Sequence, residues 1–206
     1  MPDSLIEDVE GLRGVYQVPK GRPVEKLQHR LDEESRRFIA ASPFLILGTA
    51  GDVSPRGDHP GFVQVLDDNT LLLPDRRGNN LIDSMQNIVK DPTMSLIFLI
   101  PGISETLRIR GTAEITTDSE LLEPLAVNGQ VPATGLVITV KDALMHCAKA
   151  ILRSKLWDPT TQLDRKEFSP TKILAAHTGH DHATLQQDYD GAIADAMIEE
   201  GREYSK

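Results

Sequence analysis

Leu71-Leu72-Leu73-Pro74-Asp75-Arg76-Arg77-Gly78-Asn79-Asn80 is an apolar run that stops at a proline and passes into two adjacent arginines and a glycine. The next segment, residues 81–90, carries Leu81, Met85, Ile88 and Val89 at helical spacing. A strand, a basic glycine-containing loop and a helix start, in that order, can hold a phosphate. Arg76 and Arg77 offer charge and forked donors, and Gly78 lets the backbone come close. The helix start adds free N–H groups with a partial positive charge. A polar strand-to-helix turn with two solvated arginines is the other reading of the same residues.

Working outward, residues 62–66 and 70–73 flank Asp67-Asp68-Asn69, a hairpin turn. Residues 44–49 and 93–100 are short continuous apolar runs that read as buried strands, and Asp91-Pro92 ends the helix between them. Residues 106–116 alternate through Leu107, Ile109, Ala113 and Ile115, with Gly111 marking a bulge or a close approach. Residues 135–140 read as a strand, and residues 143–156 as a strand running into a helix. Helical spacing of Leu27, Leu31, Phe38 and Ile39 predicts a helix over 24–41, stopped by Pro43, and 119–127 reads as a short helix. Residues 48–61 are rich in glycine and proline and carry Arg56, Asp58 and His59. Six or so short strands separated by turn signals predict a closed or partly closed barrel. The expected organisation is an extended lead-in over 1–23, a barrel domain over 24–157, and a polar loop with a helical tail over 158–206. An acidic helix is expected near residues 185–200.

The 206 residues suffice for one sizeable core, and 39% hydrophobic with 26% charged residues is an ordinary globular composition. A net charge of −9 argues against general nucleic-acid binding and against anionic membrane surfaces. No apolar run has membrane-spanning length, and the acidic start has no signal region. Cys147, the single cysteine, excludes an intrachain disulfide and a thiolate cluster. These features predict a cytoplasmic protein.

Four motifs in order carry a resemblance. They are Ser54-Pro55-Arg56-Gly57-Asp58-x-Pro60-Gly61-Phe62, the arginine loop with its helix, Glu105-Thr106-Leu107-Arg108-Ile109-x-Gly111, and His146-Cys147-x-Lys149-Ala150-x-x-x-Arg153-Ser154-x-Leu156-Trp157. Residues 24–157 resemble the pyridoxamine 5′-phosphate oxidase-like family of FMN-binding split barrels, and most closely its pyridoxamine-phosphate-oxidase-related flavoproteins. The resemblance implies a mainly β fold with peripheral helices, a six-stranded antiparallel split barrel. It also implies a homodimer with one FMN in each of two clefts between subunits.

Carried onto this chain, it implies that Arg77, supported by Arg76, Asn79 and Asn80, meets the FMN phosphate. Pro74 and Asp75 lie against the flavin or ribityl chain. Arg56, Gly57, Thr106 and Arg108 come near the ring, where a cation would stabilise charge on the reduced flavin. Lys149, Arg153 and Trp157 reach the neighbouring cleft. Each residue has a plainer reading: Arg108 and Arg110 as the wet face of a strand, Gly57 as a turn residue, Trp157 as an interface anchor. Cys147 reads as a buried, inert thiol. His177-x-x-His180-Asp181-His182 lacks a metalloenzyme spacing and reads as a polar tail loop, with no metal expected.

The implied activity is hydride or electron transfer between FMN and a small organic substrate, with no assignable acid or base. Oxidation of pyridoxamine phosphate itself is not expected, because the final residues, Glu199 to Lys206, lack the arginine-containing tryptophan ending of those oxidases. The alternatives are a non-catalytic flavin-binding stress module, a haem-binding split barrel using a histidine such as His59 or His146, and a deazaflavin-binding barrel.

Overall fold

The computed structural model describes residues 5–164 and 167–202. The first four residues of the lead-in and the last four of the C-terminal ending lie outside the described residues. Seven strands form one antiparallel sheet: β1 (Phe44–Thr49), β2 (Asp52–Gly57), β3 (Gln64–Val65), β4 (Thr70–Pro74), β5 (Thr93–Leu99), β6 (Thr106–Thr116) and β7 (Gly135–His146). Their order is β2-β1-β5-β6-β7-β4-β3. The fold is the mainly β architecture with peripheral helices that was expected, with seven strands in place of six. β3 pairs through only Gln64 and Val65.

β2 lies in the glycine- and proline-rich stretch to which the sequence pattern assigned no element. Gly51, in the left-handed region, turns the chain straight back from β1. Pro55 is tolerated because β2 is an edge strand that pairs with β1 alone. β7 is one 12-residue strand and not two elements. Arg110 lies opposite Asp142 and Gly111 opposite Val140, so Lys141 is bulged out. Gly111 has a second reason to be glycine: an added Cβ would overlap the carbonyl oxygen of Thr139.

Leu45 and Leu47 of β1, Leu71 and Leu73 of β4, Leu96 and Phe98 of β5, Leu107 and Ile109 of β6, and Ile138 of β7 belong to one buried cluster. β1 and β4 stand near opposite edges of the sheet, so sharing that core requires the sheet to curl upon itself. Each such side chain contributes about 1.5–3 kcal/mol by leaving water.

Eight α-helices are described: α1 (Val9–Val15), α2 (Arg22–Glu25), α3 (Glu33–Ala41), α4 (Asp83–Lys90), α5 (Ser119–Leu122), α6 (Lys149–Ser154), α7 (Pro170–Thr178) and α8 (His182–Glu199). α1 replaces part of the expected extended lead-in, capped by Asp8, which accepts from Gly11 N at 2.8 Å. The helix expected over 24–41 is broken. Gln28 and Ala143 exchange two backbone hydrogen bonds, drawing the chain onto β7, and Asp32 then caps α3 by accepting from Ser35 N at 2.7 Å. The tail histidine segment is a helix junction and not a loop. Gly179 ends α7, Asp181 caps α8 through Thr184 N at 2.9 Å, and His182 Nε2 lies 3.1 Å from Thr171 Oγ1. No helix among the described residues is long and apolar enough to cross a membrane.

Candidate functional site at the barrel split

β2 and β4 are not paired with each other, and side chains close the gap between them. Arg56 and Ser54 of β2 stand opposite Leu45 and Leu47, so they point to the side of the sheet that faces the core. Arg56 donates to Ser54 Oγ at 2.9 Å and to the Pro55 carbonyl at 2.8 Å. Ser54 Oγ meets Ser84 Oγ, in the first turn of α4, at 2.9 Å. No side chain caps the start of α4, where Ile82 takes a left-handed backbone conformation. Ser84 Oγ also donates, at 3.4 Å, to Asp52 Oδ2, and that end otherwise presents unfilled N–H groups beside a guanidinium and two hydroxyls, an arrangement that can take an oxyanion.

Asp75, past the end of β4, donates its backbone N–H to Thr134 O at 3.0 Å. Burial pushes its carboxyl pKa up, and the charge of Arg56 only partly offsets this. Pro74 is buried opposite Gly135. Gly57 pairs with Phe44.

Arg76 turns inward. Its Nε donates to Asp58 Oδ2 at 2.6 Å and its Nη1 to the Leu125 carbonyl at 2.8 Å. Asp58 also accepts from His59 N at 2.6 Å and from Arg202, delivered by the segment after α8. Burial alone would raise the Asp58 pKa, but the His59 N–H and the two guanidiniums outweigh it and hold the carboxyl below its ordinary value. Arg77 turns outward and pairs with Glu199 at 2.8 Å. Asn79 Oδ1 accepts from Leu81 N at 3.1 Å, and Asn80 is exposed.

The remaining expected residues lie elsewhere. Thr106 stands opposite His146, and Arg108 opposite Leu144, at the far end of β7 from Pro74 and Gly135. At about 3.3 Å per residue the two groups are roughly 30 Å apart along the strand. Trp157, half-buried, joins the far end by donating Nε1–H to the Ile103 carbonyl at 2.8 Å. Lys149 and Arg153 of α6 are exposed there. Within one chain the structure thus brings Arg56, Pro74, Asp75 and Arg76 together at the split, and places Thr106, Arg108, Lys149, Arg153 and Trp157 at the opposite end.

Cys147 is exposed and not buried as expected. The backbone N–H of Lys149, then the charges of Lys149 and Lys26, lower its pKa. Sequence reasoning gave no role to Ser54, quoted only as part of a motif, and passed over Ser84 and Arg202. Two lone serines carry no signal, and Arg202 meets Asp58 across 144 positions.

Residues 31–147 match the family model described as pyridoxamine 5′-phosphate oxidase. No curated protein sequence matches the chain. Among solved structures, HupZ of Group A Streptococcus is similar at 18% identity and a TM-score of 0.46, covering 55% of this chain and 91% of that one. An FMN-binding protein from Syntrophomonas wolfei subsp. wolfei shows 15% identity and a TM-score of 0.45, covering 56% and 85%. The FAD binding protein of Mycobacterium smegmatis shows 12% identity and a TM-score of 0.39, covering 58% and 97%. The family match spans more than half of the sequence, and the chain belongs to the pyridoxamine 5′-phosphate oxidase family.

Proposed function

We propose that the protein is an FMN-binding oxidoreductase that works as a homodimer on a small organic substrate. The observation that carries the reading is the junction of Arg56, Ser54 and Ser84 at the uncapped start of α4. It fits a phosphate monoester: a fixed cation, backbone N–H groups and two hydroxyls, of which Ser84's can turn from Asp52 to a ligand, converge from separate elements. Arg77 and the loop amides of Asn79 and Asn80 extend the same anion-binding edge. When bound, the flavin supplies hydride chemistry, and the chain supplies position and charge. Asp75, whose affinity for a proton is raised by burial, holds a proton beside that site more readily than an exposed carboxylate does.

Two observations support the dimer. Thr106, Arg108 and Trp157 lie roughly 30 Å from the split along β7, so one small cofactor meets both groups only if a second copy contributes one of them. The outward face of the sheet also carries Phe44, Ile46, Val53 and Ile97 in register across β2, β1 and β5, each at least 36% exposed. A continuous apolar face of that kind suits burial against another protein surface.

The test is a flavin titration of the purified chain, followed by desalting and a visible spectrum. Retained FMN, in a 1:1 ratio with a chain that sediments as a dimer, is the expected result. Arg56→Ala is expected to weaken FMN by about ten- to a hundredfold, the loss of a charge-assisted hydrogen bond. A chain that retains neither FMN nor FAD overturns the reading.

A further inference from the structure

Arg108 donates to no acceptor among the described residues, and its Nε is buried. A buried donor without an acceptor is rare enough to require a cause. The side chain as a whole is half-buried on the outer face of β6, between Ile97 of β5 and Leu144 of β7. His146 stands on the same face, opposite Thr106, two positions along the strand pair. Lys26, after α2, comes to the same place, its Nζ donating to the Met145 carbonyl at 2.7 Å. The carboxylate that acts on Arg108, Asp142, is already taken: Arg110 makes three contacts with it at 2.9, 3.1 and 2.7 Å. The result is three basic side chains from three segments, with apolar residues on either side of Arg108. Burial, then Arg108 and then Lys26, hold the His146 imidazole below its ordinary pKa, so the positive field is felt locally.

We propose that Lys26, Arg108 and His146 form a binding site for an organic oxyanion, a carboxylate or phosphate whose apolar body lies on Ile97 and Leu144. The guanidinium fork matches a planar or tetrahedral oxyanion, and the ammonium and imidazole supply further N–H donors. The site is separate from the split within one chain and needs no flavin. Where the dimer reading holds, it lies at the end of the sheet that would face the partner, and the anion is then the substrate's.

The test uses the full chain, first without flavin. Benzoate and inorganic phosphate are titrated in separately while the imidazole resonances of His146 are followed by NMR against pH. A bound oxyanion offsets Arg108 and Lys26 and is expected to raise the His146 pKa by about one pH unit. Arg108→Met is expected to abolish the response, Lys26→Met to weaken it, and Lys90→Gln, at the exposed end of α4, to leave it unchanged. A larger response to benzoate assigns the site to carboxylates with an apolar body, and a larger response to phosphate assigns it to phosphates. No movement of His146 with either anion up to ~50 mM, enough to fill a millimolar site, overturns the proposal. So does an equal movement in Arg108→Met, which is the signature of general screening. Because no flavin is present, either failure leaves the flavin reading standing, and loss of flavin binding leaves this one standing.

Discussion

Asp58 is the residue whose removal tests the account of the split most directly. Its side chain is 1% exposed and accepts from His59 N, Arg76 and Arg202. Asp58→Ala takes the shared acceptor from three donors, two of them charged, although Arg76 keeps the Leu125 carbonyl and Arg202 its ion pair with Glu200. Removing one partner of a buried pair costs roughly 3–5 kcal/mol. Arg76 and Arg202 keep 22% and 21% of their side-chain surface, so water reaches them and the lower end, about 3 kcal/mol, applies. For a chain of this length that corresponds to a fall in melting temperature of roughly 6–12 °C. Asp58→Asn keeps one acceptor oxygen and should fall less far.

The pH dependence gives the sign. The folded Asp58 is held below its ordinary pKa, so its contribution is complete above the unfolded value, about 3.9. It is lost as pH falls through the folded value. The gap in melting temperature between wild type and Asp58→Asn should therefore be constant above about pH 5 and close below about pH 4. Circular dichroism melts across that range measure it. A melting temperature for Asp58→Ala within about 2 °C of wild type at neutral pH would refute the buried triad. A gap that persists unchanged into strong acid would refute its ionic character.

Three further outcomes are expected. Gly111→Ala drives a methyl into the Thr139 carbonyl, a backbone atom that cannot swing away. Denaturant unfolding should show a loss of at least about 3 kcal/mol, whereas Gly14→Ala, which meets nothing within 4 Å, should not. Glu199→Gln frees Arg77 from an exposed pair, and flavin fluorescence titration should show FMN tightening by no more than about fivefold. Asp75→Asn removes a carboxylate held near Arg56. A phosphate at that guanidinium raises the Asp75 pKa further, so wild-type binding should take up a proton and weaken as pH rises through the Asp75 titration, by ordinary linkage. The Asn variant should bind more tightly with a flatter pH profile, and parallel profiles would count against Asp75 lying beside the phosphate.

Elements built on apolar runs or on regular alternation were legible in the sequence: β1, β4 and β5 from their runs and β6 from its alternation begin within one residue of their expected starts and end within one. β2 was not, because an edge strand has no need of a buried run and tolerates Pro55. The start of α3 was misplaced because Leu27 and Leu31 keep helical spacing while Gln28 is captured by Ala143, an interaction 115 positions away. At the site, the arginine loop announced itself by charge and glycine. What the loop does could not be read in the same way, since it depends on partners from distant segments: Asp58 for Arg76, Glu199 for Arg77, and Ser84 through Ser54 for Arg56. Charge alone also left Arg108 and Arg110 equivalent. The register separates them, giving Asp142 to Arg110 and leaving Arg108 without an acceptor among the described residues.

The adjacent arginines show why such a motif is ambiguous until the chain is folded. Past β4 the two side chains leave in different directions, Arg76 half-buried and Arg77 exposed. So placed, they do not both face one ligand. With Pro74 and Leu73 buried, geometry sends Arg76 back into the split, where a buried carboxylate and the Leu125 carbonyl fix it. Arg77 is left outside, where its only partner among the described residues is a carboxylate on an exposed helix end. A guanidinium fixed by a buried carboxylate is poorly placed to follow a ligand, whereas one in an exposed ion pair can exchange its partner at small cost. The doubled arginine thus resolves into a pin that holds the split and an arm that can meet an anion, and on the proposed flavin reading it is Arg77 and Arg56, rather than Arg76, that are free to meet the phosphate.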